Sequence, residues 1–423
     1  MIFPHLDAET RRALEGFLRL IDRTFPLPRR RAGSLPRDIA ELSRLFTGAR
    51  GERTVTYLGK PAFLSAYLRY FLPWNLYRLC RLLPGLVLPL EDGDAVTDLG
   101  SGPLSLALAL WISRPDLRGL RLEFRCIDHT ATVMRAGKKL FEALAGGDCP
   151  WILRLERNSL GGRAGKAPIV WKGPSAEEKQ PAGKDARRQE KPARLVTAVN
   201  VFTELGQNIP AADGGGLKRF AEKSFKTLTS YLADTGYLLA VEPGNPQGGA
   251  FIAGLRGALI ESGGSVLAPC PHAQPCPFPG GKAPRRERRT EGRGKGKWCH
   301  FAFSTEEAPA ALRTLSSRAG LPKERAALSF LFAGLGGQEG PEPEALTGGL
   351  RLRVISDAFP LPAAGGAPAA RDARFGRYCC SEQGMALLTG KRSALEKAES
   401  GALFKAACTG ARDPKTGAVI AEI

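Results

Sequence analysis

The chain is expected to be an α/β protein: a parallel sheet with helices on its faces, a helical region before it and a small β-rich appendage behind it. Three observations predict this. From Asp94 onward, short apolar runs alternate with longer amphipathic ones, the rhythm of strand–helix–strand units. Before Asp94 the apolar residues recur at helical spacing, and after Gly349 they return as short strand-like runs. A glycine turn, Asp98-Leu99-Gly100-Ser101-Gly102, stands between the first apolar run and the helix that follows it.

Residues 1–90 form the helical region. Asp7 opens an amphipathic stretch that runs to Ile21, and Pro26 with Pro28 closes it. Arg29, Arg30 and Arg31 follow as a basic linker. A second helical stretch, 61–83, carries Phe63, Tyr67, Tyr70, Phe71, Trp74 and Tyr77 interleaved with Arg69, Arg78 and Arg81. Aromatics among arginines can stack on bases; at helical spacing they also make a buried face.

The sheet occupies 91–265. Its strands are expected at 95–99, 122–128, 151–155, 195–201 and 237–241, with helices at 104–113, 132–144 and 249–262. Residues 266–335 hold a cysteine segment and the last strands, 298–303 and 328–332. The appendage, 349–423, has strand-like runs at 350–355, around Tyr378 and at 385–388, with a loose linker at 365–370. Two insertions break the rhythm. Residues 161–191 contain eight basic and four acidic residues with several Gly and Pro, the composition of a flexible segment. Residues 280–297 contain eight basic and two acidic residues, which suits either a phosphate backbone or a solubilising loop.

Charge narrows the function classes. Sixty-one Lys and Arg against forty-two Asp and Glu leave a net charge of +19, which favours a polyanionic partner. Nucleic acid is preferred to a membrane surface, because no amphipathic anchor is visible and no apolar run approaches the ~18 residues of a spanning helix. The N-terminus has acidic Asp7, Glu9 and Glu15 and no apolar signal core, so the expected compartment is the cytoplasm. Nine cysteines in such a compartment are not a disulfide framework, and the free protein is expected to be a monomer.

The glycine turn points to a ligand. Gly100 and Gly102 let backbone pass close to a small molecule, at the strand ends where α/β sheets bind nucleotides. Ser105 stands where a pyrophosphate-binding pattern needs its third glycine, so that pattern is absent. The turn resembles the first motif of class I S-adenosylmethionine-dependent methyltransferases, which implies a Rossmann-like methyltransferase sheet. Asp98, Gly100, Ser101 and Gly102 would line the cofactor. Asp128, closing the second strand, can accept from ribose hydroxyls or cap the next helix. Asn200, after the fourth strand, can face the cofactor or simply end the strand. Glu242 is read either as a substrate contact or as a buried acid at a helix start. The loop at 200–205 lacks the Pro-Pro-aromatic signature of exocyclic-amine methyltransferases, and no residue stands out as a general base. The catalytic residues are unknown.

Cys270 and Cys276 are separated by five residues and each is followed by proline; Cys299 lies between Trp298 and His300. With His272, two of the four histidines fall here, so ligand types cluster. Cys379 or Cys380 can supply a fourth ligand. The spacing is compatible with zinc and with an iron–sulfur cluster, and Cys-Pro pairs tilt toward the latter. A nucleophilic Pro-Cys is disfavoured, since Cys270 lies away from the expected catalytic rim.

At these residues the sequence resembles the methyltransferase-like proteins of the mitochondrial small ribosomal subunit and their bacterial relatives. The resemblance rests on Cys-Pro-His-x-x-x-Cys-Pro at 270–277, Trp-Cys-His-Phe at 298–301 and Leu-Pro-Lys-Glu-Arg at 321–325, with Val-Glu-Pro-Gly at 241–244 and Arg-Tyr-Cys-Cys at 377–380. It implies a [4Fe–4S] cluster on Cys270, Cys276, Cys299 and Cys380, and binding to immature small-subunit rRNA in an assembly particle. Two departures stand out: Leu104 replaces a glycine common in the methyltransferase turn, and the 280–297 insertion lengthens the segment between the second and third ligands. Three functions follow in order: an rRNA-binding assembly factor, an active rRNA methyltransferase, and a zinc-stabilised RNA-binding module.

Overall fold

The computed structural model describes residues 1–47, 60–158, 169–170, 191–206, 209, 214–278, 297–338, 349–361 and 374–423. The chain begins with α1 (Ala8–Thr24), whose N-cap Asp7 accepts from Thr10 N, then α2 (Arg29–Ala32), α3 (Leu35–Thr47) and α4 (Pro61–Ala66). A π-helical turn, Tyr67–Phe71, leads into α5 (Leu72–Leu82). The helix α3 falls where the sequence reading has only a linker. Of the aromatics, Phe63, Tyr70, Trp74 and Tyr77 are buried, so they are core; Tyr67 and Phe71 stay half-buried.

The sheet follows as β1 (Ala95–Leu99), α6 (Ser105–Ser113), β2 (Glu123–Asp128), α7 (Ala131–Ala145), β3 (Ile152–Arg157), β4 (Ile169–Val170), β5 (Ala193–Val199), α8 (Phe202–Leu205), α9 (Gly214–Thr229), β6 (Leu232–Pro243), α10 (Pro246–Glu261), β7 (Ser265–Ala268), β8 (Phe301–Ser304), α11 (Ala310–Arg318) and β9 (Arg325–Gly334). Strand order is β4-β3-β2-β1-β5-β6-β9-β7, with β8 paired to β9. Strands β3, β2, β1, β5 and β6 are parallel, and β9 runs antiparallel between β6 and β7. That order, with one reversed strand inserted next to the edge, is the class I S-adenosylmethionine-dependent methyltransferase arrangement. Two details correct the sequence reading. The strand after α10 is the four-residue β7, too short to register as a strand pattern, and 301–304 is a side pairing on β9 rather than an end strand of the sheet. The insertion at 161–191 contributes β4, antiparallel to β3; the rest of it and most of 280–297 lie outside the described residues.

Helix α6 is apolar on every side, and eight of its nine residues are buried because α1 and α5 cover the face that α7 leaves open. The opposite face of the sheet is covered by α8, α9 and α10, with Phe202, Phe251 and Leu255 at its core. Among the described residues, no helix is long and apolar enough to cross a membrane.

The C-terminal region is more complete than an appendage of three strands. It consists of β10 (Leu350–Val354), β11 (Phe359–Pro360), β12 (Arg374–Ser381), β13 (Gly384–Lys391), α12 (Arg392–Lys397), β14 (Leu403–Arg412) and β15 (Val419–Glu422). The order β10-β14-β15-β13-β12-β11 is closed by a β10–β12 pairing into a small barrel with its own core. Closure removes the free edges that so short a sheet would otherwise present. The expected linker at 365–370 lies outside the described residues.

Candidate functional site

The chain runs from β1 outward through β2 and β3, then returns to β5 on the other side of β1, so the strand order reverses between β1 and β5. The carboxyl ends of these strands border the crevice where such sheets take ligands. Gly100 and Gly102 leave β1 with φ of +68° and +50°. A Cβ on Gly100 would lie 2.3 Å from Val201 Cγ2, so the turn after β1 and the loop after β5 meet closely enough to require glycine. Gly100 N and Ser101 N both donate to Ile127 O, at 2.7 and 3.1 Å. The Ser101 hydroxyl is buried and has no hydrogen-bond partner among the described residues.

Asp128 joins two loops of this rim. Its Oδ2 accepts from Gly102 N at 3.1 Å and its Oδ1 from Thr130 N at 2.7 Å. Helix α7 has Thr130 at its N-cap, with no side-chain cap, so Asp128 is not a helix cap. Its Oδ2 keeps a lone pair for a further donor, while Oδ1 also faces His129 Nδ1 at 3.3 Å. Asp98 lies deeper: it is buried on β1 and accepts from Thr197 Oγ1 at 2.7 Å. Burial pushes its carboxyl up to about 7, against the pull of the Thr197 bond and with the Asp128 charge adding to the rise. Leu104, at the start of α6, takes the left-handed backbone (φ 59°, ψ 40°) with its side chain fully buried. The turn therefore keeps a glycine-like shape without the glycine.

Asn200 also has positive φ, 58°, and its N donates to Val241 O at 2.7 Å. Among non-glycine residues, Asn tolerates this conformation best. Beside it Glu242, fully buried, accepts from Val201 N, Phe202 N, Thr203 N and Thr203 Oγ1 at 3.1, 2.8, 3.1 and 2.7 Å. Of the two readings of Glu242, it is the buried acid at a helix start, holding the loop that carries Asn200. Burial raises its carboxyl to about 7 despite these four donors.

Two rim residues escaped the sequence reading. Tyr67, on the π turn, lies near enough to the rim to feel its charges: burial, then the Glu204 and Asp128 carboxylates, push its phenol up, and its ring stacks on Phe71 at 5.7 Å. A helical pattern gives no hint of a π turn, so no sequence signal could have placed it. His129 follows Asp128 directly, half-exposed, with Nδ1 3.3 Å from Asp128 Oδ1. Its position at a strand end was a usable signal.

The four expected cysteines share one buried place. Cys270 follows β7, Cys299 precedes β8 and Cys380 lies on β12. Successive residues of a strand point to opposite faces; Cys379 sits in the barrel core, whereas Cys380 joins the main core against which Cys276 and Cys299 pack. Burial raises all four thiols, and mutual repulsion adds to it: Cys299 feels Cys270, Cys276 and Cys380, and Cys276, pushed to about 11, feels Cys270. His272 Nε2 lies 3.1 Å from Cys380 Sγ, and its buried Nδ1 has no partner. His300 instead stacks on Trp298, with centroids 5.2 Å apart. Among the described residues, no three His, Cys, Asp or Glu side chains group as ligands of one metal ion would. The thiols thus face one another without closing on a single point.

Two arginines flank them, Arg256 buried and Arg353 half-buried. Arg256 donates to His272 O and Gln274 O at 2.7 and 2.8 Å, and Arg353 to Pro269 O and Gly401 O, both at 2.8 Å. Both lower the Cys270 thiol, opposing the rise that burial causes, and among the described residues neither pairs with a carboxylate. Buried cations need a compensating negative charge, and thiolates would supply it. The set of four sulfurs and two cations has the composition an anionic thiolate centre needs, but not its closed geometry.

Residues 217–343 match the family model of mitochondrial small ribosomal subunit Rsm22. The matched span runs from α9 past β9 and includes Cys270, Cys276 and Cys299; the Rsm22 match thus falls on the segment whose motifs carry the resemblance. A Listeria monocytogenes protein described as a class I S-adenosylmethionine-dependent methyltransferase is 11% identical, over 79% of this chain and 90% of that one, with a TM-score of 0.35. Fibrillarin from Aeropyrum pernix, solved with S-adenosyl-L-methionine, is 16% identical over 46% and 69% of the two chains, at a TM-score of 0.26. A search of curated proteins finds no match. The fold assignment rests on the strand order itself.

Proposed function

We propose that this chain is an rRNA-binding assembly factor of the small ribosomal subunit, built on a methyltransferase fold and braced by a [4Fe–4S] cluster. The observation that carries the proposal is the meeting of Cys270, Cys276, Cys299 and Cys380 beside Arg256 and Arg353, within and next to the segment that matches Rsm22. In this reading those four thiolates hold the cluster, which serves as a structural centre. The two arginines offset its negative charge, and the net charge of +19 supports a phosphate-rich partner. Anaerobically purified protein should contain iron and sulfide and co-sediment with immature small-subunit particles at low salt. Zinc in place of iron would replace the cluster by a zinc-stabilised RNA-binding module; absence from the particles would sink the assembly role.

A second reading, an active rRNA methyltransferase, is favoured by one observation: the crevice has unfilled hydrogen-bonding capacity, among the described residues, at Ser101 Oγ and at Asp128 Oδ2. Asp98, Gly100, Ser101, Gly102, Asp128 and Asn200 would hold S-adenosylmethionine, which supplies an electrophilic methyl group when bound. Asp128 would accept from the ribose, while Glu242 keeps Asn200 in place and Tyr67 shields the crevice from water. Calorimetry should detect cofactor binding, and an rRNA methyl mark should vanish on deletion. No binding at millimolar cofactor would eliminate this reading.

A further inference from the structure

Three arginines are interleaved with the aromatics of the second helical stretch, and carboxylates neutralise two of them. Arg69 Nε lies 3.0 Å from Asp22 Oδ1, and Arg81 Nη1 lies 2.7 Å from Glu307 Oε2. Arg78 differs. Its Nη1 donates to Asn75 Oδ1 at 2.9 Å, and its Nε is buried with no partner among the described residues. Among the described residues, no carboxylate figures in the charges that act on it.

A second cation lies near enough to Arg78 to feel its charge. Lys323, in the loop between α11 and β9, has its Nζ 5.3 Å from the Tyr70 ring centroid and 5.2 Å from that of Trp74. The loop is fixed there: Trp74 Nε1 donates to Ser316 Oγ at 3.1 Å, Tyr70 Oη to Leu321 O at 3.4 Å, and Thr305 Oγ1 to Lys323 O at 2.6 Å. Trp74 and Arg78 are one turn apart on α5, so a single helical stripe supplies both the aromatic shelf and the guanidinium. Neighbouring Glu324 is exposed and, among the described residues, pairs with neither cation. Burial lowers the Lys323 ammonium to about 7, and Arg78 repels it further.

Like charges held together half-buried, as these two are with no carboxylate partner among the described residues, are unfavourable unless an anion completes them. A guanidinium N–H without a partner, beside a lysine point charge, matches the acceptors of a phosphate group. We propose that Arg78 and Lys323 form a phosphate-binding site, with Arg78 Nε and Lys323 Nζ as donors and Tyr70 and Trp74 as its apolar floor. Its source is either an RNA phosphodiester, which rests on the rRNA reading above, or free phosphate, which does not.

The test uses the full chain with inorganic phosphate and with a short single-stranded RNA. Phosphate, compared with chloride at equal ionic strength, should raise the thermal midpoint of the wild type. The rise should be lost in Arg78→Gln, in Lys323→Met and in the double variant. If RNA is the source, each variant should bind RNA about tenfold more weakly, with a salt slope smaller by about one. Loss of the phosphate effect with unchanged RNA binding assigns the site to free phosphate. Should the variants fail to fold, acylation of Lys323 in the wild type decides: phosphate should slow it several-fold by mass spectrometry. A midpoint indifferent to phosphate with unchanged acylation, or a rise that survives in the double variant, overturns the site. Protein that shows the phosphate effect but fails to co-sediment with small-subunit particles loses the rRNA role and keeps this site.

Discussion

Leu104 and Glu242 show how single residues keep the crevice in shape at some energetic cost. A left-handed non-glycine backbone costs about 1–2 kcal/mol, and at Leu104 burial of the side chain, worth about 1.5–3 kcal/mol, offsets it. Leu104→Ala keeps the strained backbone and loses the burial, so it should destabilise by about 2–5 kcal/mol. Leu104→Gly loses the same burial but relieves the strain. It should be the milder change by about 1 kcal/mol, the reverse of the usual order within helices, as urea unfolding would show. Glu242 gives a pH prediction. Its folded carboxyl lies near 7 against an ordinary 4.5, so the folded state holds the proton longer than the unfolded chain. Its contribution is therefore fully present below about 4.5 and is lost as pH rises through about 7. Asp98, raised from 3.8 to about 7, acts in the same direction. Stability should fall between about pH 5 and pH 8, and Glu242→Gln should flatten part of that slope; an unchanged slope would remove Glu242 as a cause.

At the scale of elements, strand alternation turns an ambiguity of sequence into a sharp expectation. Cys379 and Cys380 are adjacent and cannot be told apart by spacing, but β12 sends Cys379 into the barrel core and Cys380 toward the other three thiols. Cys380→Ser should abolish metal content. Cys379→Ser should retain it and cost only about 1–3 kcal/mol, the penalty of a hydroxyl in an apolar core. Equal metal loss in both would refute the assignment. The same contrast explains what the sequence could and could not show. The strands β1, β2 and β5 and the helices α1, α6 and α7 are visible because each presents an apolar run or stripe of full length. The short strand β7 is hidden by its brevity, and the barrel strands β14 and β15 by polar residues and glycines that dilute their alternation. The turn Gly100–Gly102 and Asp128 could be read because glycine and a strand-ending acid have few structural substitutes. Tyr67 could not, since it reaches the rim only through a π turn and a fold of the chain across the sheet.

For the molecule as a whole, the cysteine centre is where two bodies meet. Cys270, Cys276 and Cys299 come from the sheet side and Cys380 from the barrel. Among the described residues the other ties between these sides are both polar and apolar: they include Arg353 Nε to Pro269 O at 2.8 Å, Ala302 N to Ser400 Oγ at 3.2 Å, the Arg325–Asp357 pair at 2.8 Å, His5–Glu399 at 3.3 Å and Lys297 over the Tyr378 ring at 3.1 Å, with Ile355, Tyr378 and Met385 packed on the main core. Exposed pairs such as Arg325–Asp357 contribute little, so a bound cluster would be the strongest polar tie of the junction, beside the apolar packing of Ile355, Tyr378 and Met385. If these thiolates hold the proposed cluster, its removal would let the thiols take up protons, because burial holds their pKa values high, and Arg256 and Arg353 would lose their negative partner. Stripping a buried charge of its partner costs about 3–5 kcal/mol, and here that cost falls on the junction while the core of either body is left intact. Calorimetry of metal-loaded protein should therefore show one transition. Chelated protein and the Cys380→Ser variant should both show two, the lower one belonging to the barrel. A single transition at the same temperature with and without metal would mean that packing alone holds the barrel to the sheet.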